Sequence, residues 1–177
     1  MIRHGGWTLK FSTNYPEKVA TAIGLLNTLV GAEYTPIAYL GEQVVNGINH
    51  AVLAEQTLLN GKDTKNLVIM VFNEKPGSMD VSLASINTIV YGGDLGGVKV
   101  DASVEIPAEA QAALSKALKD FVGSKVEPLV YVGTQVTKGI NYIFLAKVTP
   151  VTLDAESSLE IVTVNSMDNT LDFKKVF

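Results

Sequence analysis

The chain has 177 residues, 47% of them apolar and 18% charged, with 14 basic and 18 acidic side chains and no cysteine. This length suits one ordinary domain or two small ones, and the composition excludes intrinsic disorder. A formal net charge of −4 and an isoelectric point near 5.2 argue against nucleic-acid binding, and the lack of cysteine excludes disulfides, thiolate zinc sites, iron–sulfur clusters and a cysteine nucleophile.

In chain order, Met1-Ile2-Arg3-His4-Gly5-Gly6 lacks the apolar core of a signal peptide. Two locations stay open: cytoplasmic, or secreted with the signal removed. A short strand is predicted over Trp7–Ser12. Pro16 then opens a helix whose apolar stripe is Val19, Ile23, Leu26 and Val30, with Gly31 as its C-terminal cap. Four strands follow, Pro36–Val45, Ile48–Leu58, Leu67–Phe72 and Val81–Ile89, as β-branched or aromatic runs separated by turn residues. After Gly92-Gly93-Asp94-Leu95-Gly96-Gly97, suited to a linker or a sharp turn, the order recurs. A strand is predicted over Val98–Val104, and Pro107 opens a helix with the stripe Ala110, Leu114, Ala117, Leu118 and Phe121, ended by Gly123. The last strands are Pro128–Thr137, Ile140–Thr149, Leu159–Val164 and Thr170–Val176.

The recurrence is also literal. Laid at an offset of 92, segments 31–54 and 123–146 share Gly31, Pro36, Tyr39, Gly41, Gln43, Val44, Gly47, Ile48, Asn49, Leu53 and Ala54, eleven of 24 positions without a gap. The chain is therefore read as two units, 1–92 and 93–177. Short connections between consecutive strands imply antiparallel pairing. One helix per sheet gives the expected fold class: α+β, two tandem units, each a helix wrapped by a four- to five-stranded antiparallel sheet. Membrane insertion is not expected. Despite a mean hydropathy of +0.24, the most apolar runs, Leu67–Phe72 and Ile140–Val148, fall far short of the roughly 20 residues a spanning helix needs.

Within the first unit, Gln43-Val44-Val45-Asn46-Gly47 matches the Gln-x-Val-x-Gly signature of the cystatins. It lies between the second and third strands, after the helix, with Gly5-Gly6 upstream. Ile48-Asn49-His50 and Ile140-Asn141-Tyr142 resemble the Thr-Asn-Tyr that often follows it. Each unit thus resembles a cystatin, and the resemblance implies an inhibitor of papain-like cysteine proteases. Gln43, Val44, Val45, Asn46 and Gly47 are then the first-hairpin contacts, and Gly5 or Gly6 the N-terminal contact. The equivalent hairpin of the second unit, Gln135, Val136, Thr137, Lys138 and Gly139, is the weaker candidate, with a threonine at the central position and a lysine at the tip. Read without the resemblance, Gly47 and Gly139 supply a positive φ for a hairpin while Val44 and Val45 pack locally.

Where cystatins usually carry Pro-Trp in a second loop, this chain has Asn73-Glu74-Lys75-Pro76-Gly77-Ser78. The missing aromatic anchor would weaken an interface by about 2 kcal/mol. The single tryptophan, Trp7, reads as a core residue of the first strand. No catalytic set emerges, and neither an enzyme activity, a cofactor nor a metal is expected: His4 and His50 have no ligand-spaced partner. His50 reads as a structural strand residue. The alternative to inhibition is a protein-binding or structural module of the same fold, secreted or surface-associated, that does not inhibit.

Overall fold

The computed structural model describes residues 6–29 and 31–177. It divides into two compact units, Met1–Tyr91 and Gly92–Phe177. The first runs β1 (Trp7–Ser12), α1 (Glu17–Leu26), β2 (Ala32–Val45), β3 (Gly47–Leu58), β4 (Thr64–Glu74) and β5 (Val81–Val90). The second runs β6 (Val98–Ser103), α2 (Ala108–Leu118), β7 (Ser124–Thr137), β8 (Gly139–Pro150), β9 (Ser158–Asn165) and β10 (Leu171–Lys175). In each, five strands pair with their neighbours in chain order, β1-β2-β3-β4-β5 and β6-β7-β8-β9-β10. All of these pairings are antiparallel.

The α+β reading, with a helix wrapped by its sheet, is overturned by this architecture. Strands hold 56% of the residues and helices only 12%, so the protein is mostly β, with two five-stranded antiparallel sheets. The physical reason lies partly in the helices, which have only 10 and 11 residues. The α1 stripe was expected to run through Val30, which lies outside the described residues, to a cap at Gly31. The helix instead ends at Leu26, with Asn27 as its C-cap. The Asn27 side chain leaves the helix to bond the backbone of Tyr34, donating to its carbonyl at 2.9 Å and accepting from its amide at 2.8 Å. A side chain of this kind competes with the helical ladder for backbone partners. Gly31 (φ +116°) serves the sheet, its carbonyl accepting the Leu59 amide at 3.0 Å. Gly123 does the same for Val151 at 2.9 Å, beyond a helix capped by Lys119.

The sheets carry most of the apolar burial. On the helix side of the first sheet, Val19 and Ile23 pack on Tyr39, Val52, Ala54, Val68, Met70 and Phe72. Burying each of these two helix residues contributes about 1.5–3 kcal/mol. Residues of the other face, Ala38, Leu40, Ala51, Leu53, Leu67 and Ile69, are buried too. The middles of the central strands are therefore apolar on both faces, which is why Ala51–Ala54 of β3 and Leu67–Phe72 of β4 read as unbroken apolar runs. In the second unit Ala110 and Leu114 pack on Phe144, Ala146, Val148, Val162 and Val164. Phe121, beyond the helix end, stacks on Phe173 with ring centroids 5.4 Å apart.

Of linker and sharp turn, the glycine-rich segment is the turn. The Gly97 amide bonds the Asp94 carbonyl at 3.2 Å, the Gly93 amide bonds the Val98 carbonyl at 3.2 Å, and Gly96 has φ +84°. A Cβ on Gly97 would lie 2.7 Å from the Gly93 carbonyl, so no larger residue fits this fold-back.

A candidate binding tip on the first unit

Three segments of the first unit meet at one end of its sheet. The β2–β3 hairpin turns over Val45-Asn46-Gly47, with Val45 paired to Gly47. Trp7 pairs with Gln43, which brings the exposed Gly6 to the same end. Ile48 pairs with Glu74 and Glu74 with Val81, so the β4–β5 loop, residues 75–80, stands beside the hairpin. Gly5 lies outside the described residues.

The hairpin tip is sterically fixed. Gly47 has φ +107°, a conformation other residues adopt only with strain, and a Cβ there would sit 2.1 Å from the Glu74 carbonyl oxygen. Further back, a Cβ on Gly41 would meet the Thr8 carbonyl oxygen at 2.2 Å, where β1 closes over β2 next to a bulge.

Behind the tip runs a ladder of amides across three strands. Asn49 Nδ2 donates to Gln43 Oε1 at 2.9 Å, and Asn73 Nδ2 donates to Asn49 Oδ1 at 2.8 Å. Gln43, expected from the signature as a contact residue, thus has its side-chain oxygen engaged inside the sheet. On the helix side a second chain of polar groups reaches the same end. The Lys18 ammonium donates to Glu74 Oε1 at 2.6 Å, His50 Nε2 lies 3.0 Å from Glu74 Oε2, and His50 Nδ1 lies 2.9 Å from the Tyr39 hydroxyl. A carboxylate only accepts, so Nε2 carries the proton and, in the neutral ring, Nδ1 accepts from Tyr39. Hydrogen bonds from Lys18 and His50 hold the Glu74 carboxyl below its ordinary range. Burial, with the negative charge of Glu42 and Glu74 nearby, pushes the Tyr39 hydroxyl up to about 12. His50 is buried with both ring nitrogens engaged.

The tip presents an apolar, uncharged surface to solvent: Val44 is 37% exposed, Val45 42%, and Asn46 is exposed between the strands. The neighbouring loop turns at Pro76-Gly77, where the Ser78 amide bonds the Lys75 carbonyl at 3.2 Å and Gly77 has φ +71°. It projects Met79, 82% exposed. A cavity of about 720 Å³ opens between hairpin and loop, lined by Val45, Asn46, Asn49, Asn73, Lys75 and Pro76. Trp7 is half-buried on β1.

The second unit repeats the frame and changes the surface. Asn141 Nδ2 donates to Gln135 Oε1 at 3.4 Å and Asn165 Nδ2 to Asn141 Oδ1 at 2.8 Å, while Gln135 Nε2 donates to the Gly96 carbonyl at 2.9 Å. Val136, Thr137 and Lys138 are exposed at its tip. Gly139 (φ +95°) is less confined than Gly47, a Cβ there meeting first the Met167 side chain at 3.0 Å. The β9–β10 turn is held by Asp168, whose carboxylate accepts from the Thr170 amide and hydroxyl at 3.0 and 2.8 Å, which keeps its carboxyl below the ordinary range. Met167, 62% exposed, stands on this turn.

Sequence reasoning missed the exposed methionines and the amide ladder. Asn73 and Asn165 stand at the same offset of 92 as the identities in the hairpins, outside segments 31–54 and 123–146. The two methionines do not share that offset. Among the described residues no group of three or more His, Asp or Glu side chains could hold a metal ion, and no helix is long and apolar enough to cross a membrane. No family model and no curated protein sequence matches the chain.

Proposed function

We propose that the tip end of the first unit is a wedge for the substrate cleft of a papain-like cysteine protease, blocking the cleft without being turned over. The observation that carries this reading is the meeting of Gly6, the Val44–Gly47 hairpin and the 75–80 loop at one end, with Val44, Val45 and Met79 exposed. The match of Gln43-Val44-Val45-Asn46-Gly47 to the cystatin signature supports the choice of protease class. The hairpin tip, residues 44–47, carries no charge to bury in a cleft and, being braced, has little ordering left to do, while the charges of the neighbouring loop are Lys75 and Asp80, both exposed. Met79 supplies an adaptable apolar contact where a tryptophan would otherwise stand. Lys138 at the second tip favours a different role for that unit, a binding module that does not inhibit.

The test is a titration of papain with the intact chain and with Val44→Asp plus Val45→Asp. Both residues are exposed, so the double change alters the surface and leaves the fold, whereas a substitution at Gly47 would disturb the hairpin itself. Inhibition by the intact chain should weaken at least tenfold in the variant, equivalent to about 1.4 kcal/mol. Absence of inhibition at tens of micromolar, or inhibition unaffected by the two aspartates, would refute the proposal.

A further inference from the structure

The four edge strands of the two sheets are not alike. β1 carries Lys10, β6 carries Lys99 and Asp101, and β10 carries Asp172, Lys174 and Lys175, over lengths of six, six and five residues. Short strands and charged side chains are the usual means by which proteins keep edges from pairing. β5 has neither. It runs ten residues, Val81-Ser82-Leu83-Ala84-Ser85-Ile86-Asn87-Thr88-Ile89-Val90, with no charge and no proline. Among the described residues it pairs with β4 alone, and Ser82, Leu83, Ala84 and Asn87 are exposed.

A second observation bears on the same edge. On the helix side, between α1 and β5, lies an apolar groove of about 310 Å³ lined by residues that include Ala22, Leu25, Leu26, Leu29 and Leu83. Leu25 is 66% exposed and Leu29 64%. The helix and the residues just after its end therefore leave an exposed apolar shelf beside β5. A sixth strand added to the edge would lay its alternate side chains over that shelf, so edge and shelf together fit a strand better than a compact ligand.

We propose that the occupant is β5 of a second molecule of this chain, paired antiparallel about a two-fold axis. Antiparallel pairing of β5 with itself opposes uncharged residues in every register, so it incurs no like-charge contact. The same apolar residues serve as shelf and as filler: Val81, Leu83 and Ile86 share the helix side of β5, opposite Glu74, Phe72 and Met70. A two-fold axis perpendicular to the sheet keeps the helix side of both molecules on one side, which directs these residues of each molecule toward the Leu25–Leu29 shelf of the other. Such an interface is isologous and closed, and stops at the dimer. Two bulges, at Ala84 and Ile89, leave Ser85–Thr88 as the regular run at its centre.

The test uses the full chain, whose lack of cysteine makes single-cysteine variants unambiguous. Sedimentation velocity from about 1 µM to about 300 µM should show a concentration-dependent dimer, weakened at least tenfold by Ala84→Lys plus Asn87→Lys. Mild oxidation should cross-link at least one of Ser85→Cys, Ile86→Cys and Asn87→Cys through the axis, and leave Lys10→Cys on the opposite edge unlinked. If the lysine variant loses its circular-dichroism signature, the cysteine series decides instead. A chain that stays monomeric throughout, a dimer indifferent to the two lysines, or cross-linking confined to Lys10→Cys would overturn the proposal. So would a monomeric chain that binds a free peptide of the β5 sequence, which would make the edge an acceptor for other strands. None of these readouts depends on protease inhibition.

Discussion

The two hairpin glycines allow an internally controlled test of how the tip is held. Gly47 and Gly139 occupy equivalent positions with φ of +107° and +95°, so replacing either by alanine carries a similar backbone cost of about 1–2 kcal/mol. Their surroundings differ. The added Cβ at position 47 falls 2.1 Å from the Glu74 carbonyl oxygen, a backbone atom that cannot turn aside. Relief requires parting β3 from β4 at the Ile48–Glu74 pair, the last of their ladder, and loses one or two hydrogen bonds at about 1 kcal/mol each. At position 139 the nearest atom is the Met167 Cβ at 3.0 Å, followed by side-chain oxygens of Ser166 and Asn165 at 3.3 and 3.4 Å, and a shift of a few tenths of an ångström suffices. Gly47→Ala should therefore cost about 2–4 kcal/mol of local stability and Gly139→Ala about 1–2 kcal/mol.

Native-state hydrogen exchange, read on peptides spanning 43–50 and 135–142, measures both in the same molecule without assuming that the units unfold together. Amides in 43–50 should lose protection by at least tenfold more in Gly47→Ala than amides in 135–142 do in Gly139→Ala, the equivalent of about 1.4 kcal/mol. Equal losses, or a larger loss at Gly139, would refute the reasoning that backbone confinement by Glu74, rather than positive φ alone, demands the glycine.

Three further outcomes are expected. Asn49→Ala removes the middle of the amide ladder, taking its bonds to Gln43 and Asn73 with it; it should cost about 1–2 kcal/mol in a urea titration, against a smaller loss for Asn49→Gln. The Glu74 carboxyl is held below its ordinary range in the folded chain, so its contribution is complete above the unfolded carboxylate value and fades as pH falls through the folded one. The acid limb of the stability profile should therefore flatten in Glu74→Gln, measured by denaturant midpoints below about pH 5. With the Tyr39 hydroxyl pushed up to about 12, its neutral form stabilises the fold below the ordinary tyrosine range, and this is lost as pH rises from about 10 toward 12. Ultraviolet titration of the native protein should show a tyrosinate step delayed to about pH 12 that is absent from Tyr39→Phe; an unchanged high-pH step in the variant would refute the assignment.

How much of this could be read from residues depends on whether the interaction is local. The strand starts at Trp7, Val81 and Val98 and the strand ends at Ser12, Val45, Leu58 and Thr137 coincide with those of the structure, because turn residues and β-branched runs act within a few positions. The end of α1 did not, since the apolar series through Leu29 and Val30 outlasts the helix and the competing bond from Asn27 reaches Tyr34. Strand content was underweighted for a related reason: the residues before Pro36 and Pro128, Ala32-Glu33-Tyr34-Thr35 and Ser124-Lys125-Val126-Glu127, are polar enough to pass for loop, yet all pair in register with β3 and β8. The amide ladder joins positions 6 and 24 residues apart, which no local period reveals. Only the repeat could have shown it.

The repeat also sorts frame from surface. Gln43, Asn49, Asn73, Gly41 and Gly47 all have identical counterparts 92 residues on. In both units the amides form the ladder, and Gly41 and Gly133 each pass against the backbone of their first strand. Those identities are accounted for by how a long hairpin is braced, so the glutamine and glycine of the signature report the hairpin's construction before they report a partner. Core positions such as Ala38 against Val130 and Val52 against Phe144 also differ, and among the differences that face outward or tie the hairpin to its neighbouring loop are Val45 against Thr137, Asn46 against Lys138, His50 against Tyr142 and Glu74 against Ser166. Where the first unit links its loop to the sheet through Glu74, His50 and Tyr39, the second uses Ser166, bonded to the Ile140 amide and carbonyl at 3.0 and 2.8 Å. A common frame carrying an apolar tip in one unit and a cationic tip in the other is suited to two different surfaces, since the lysine that one cleft would exclude on desolvation is what an acidic patch would select. If the tips bind as proposed, specificity resides in residues 44–46 and 136–138, and exchanging those triplets between the units should move papain inhibition to the second unit while leaving both ladders intact.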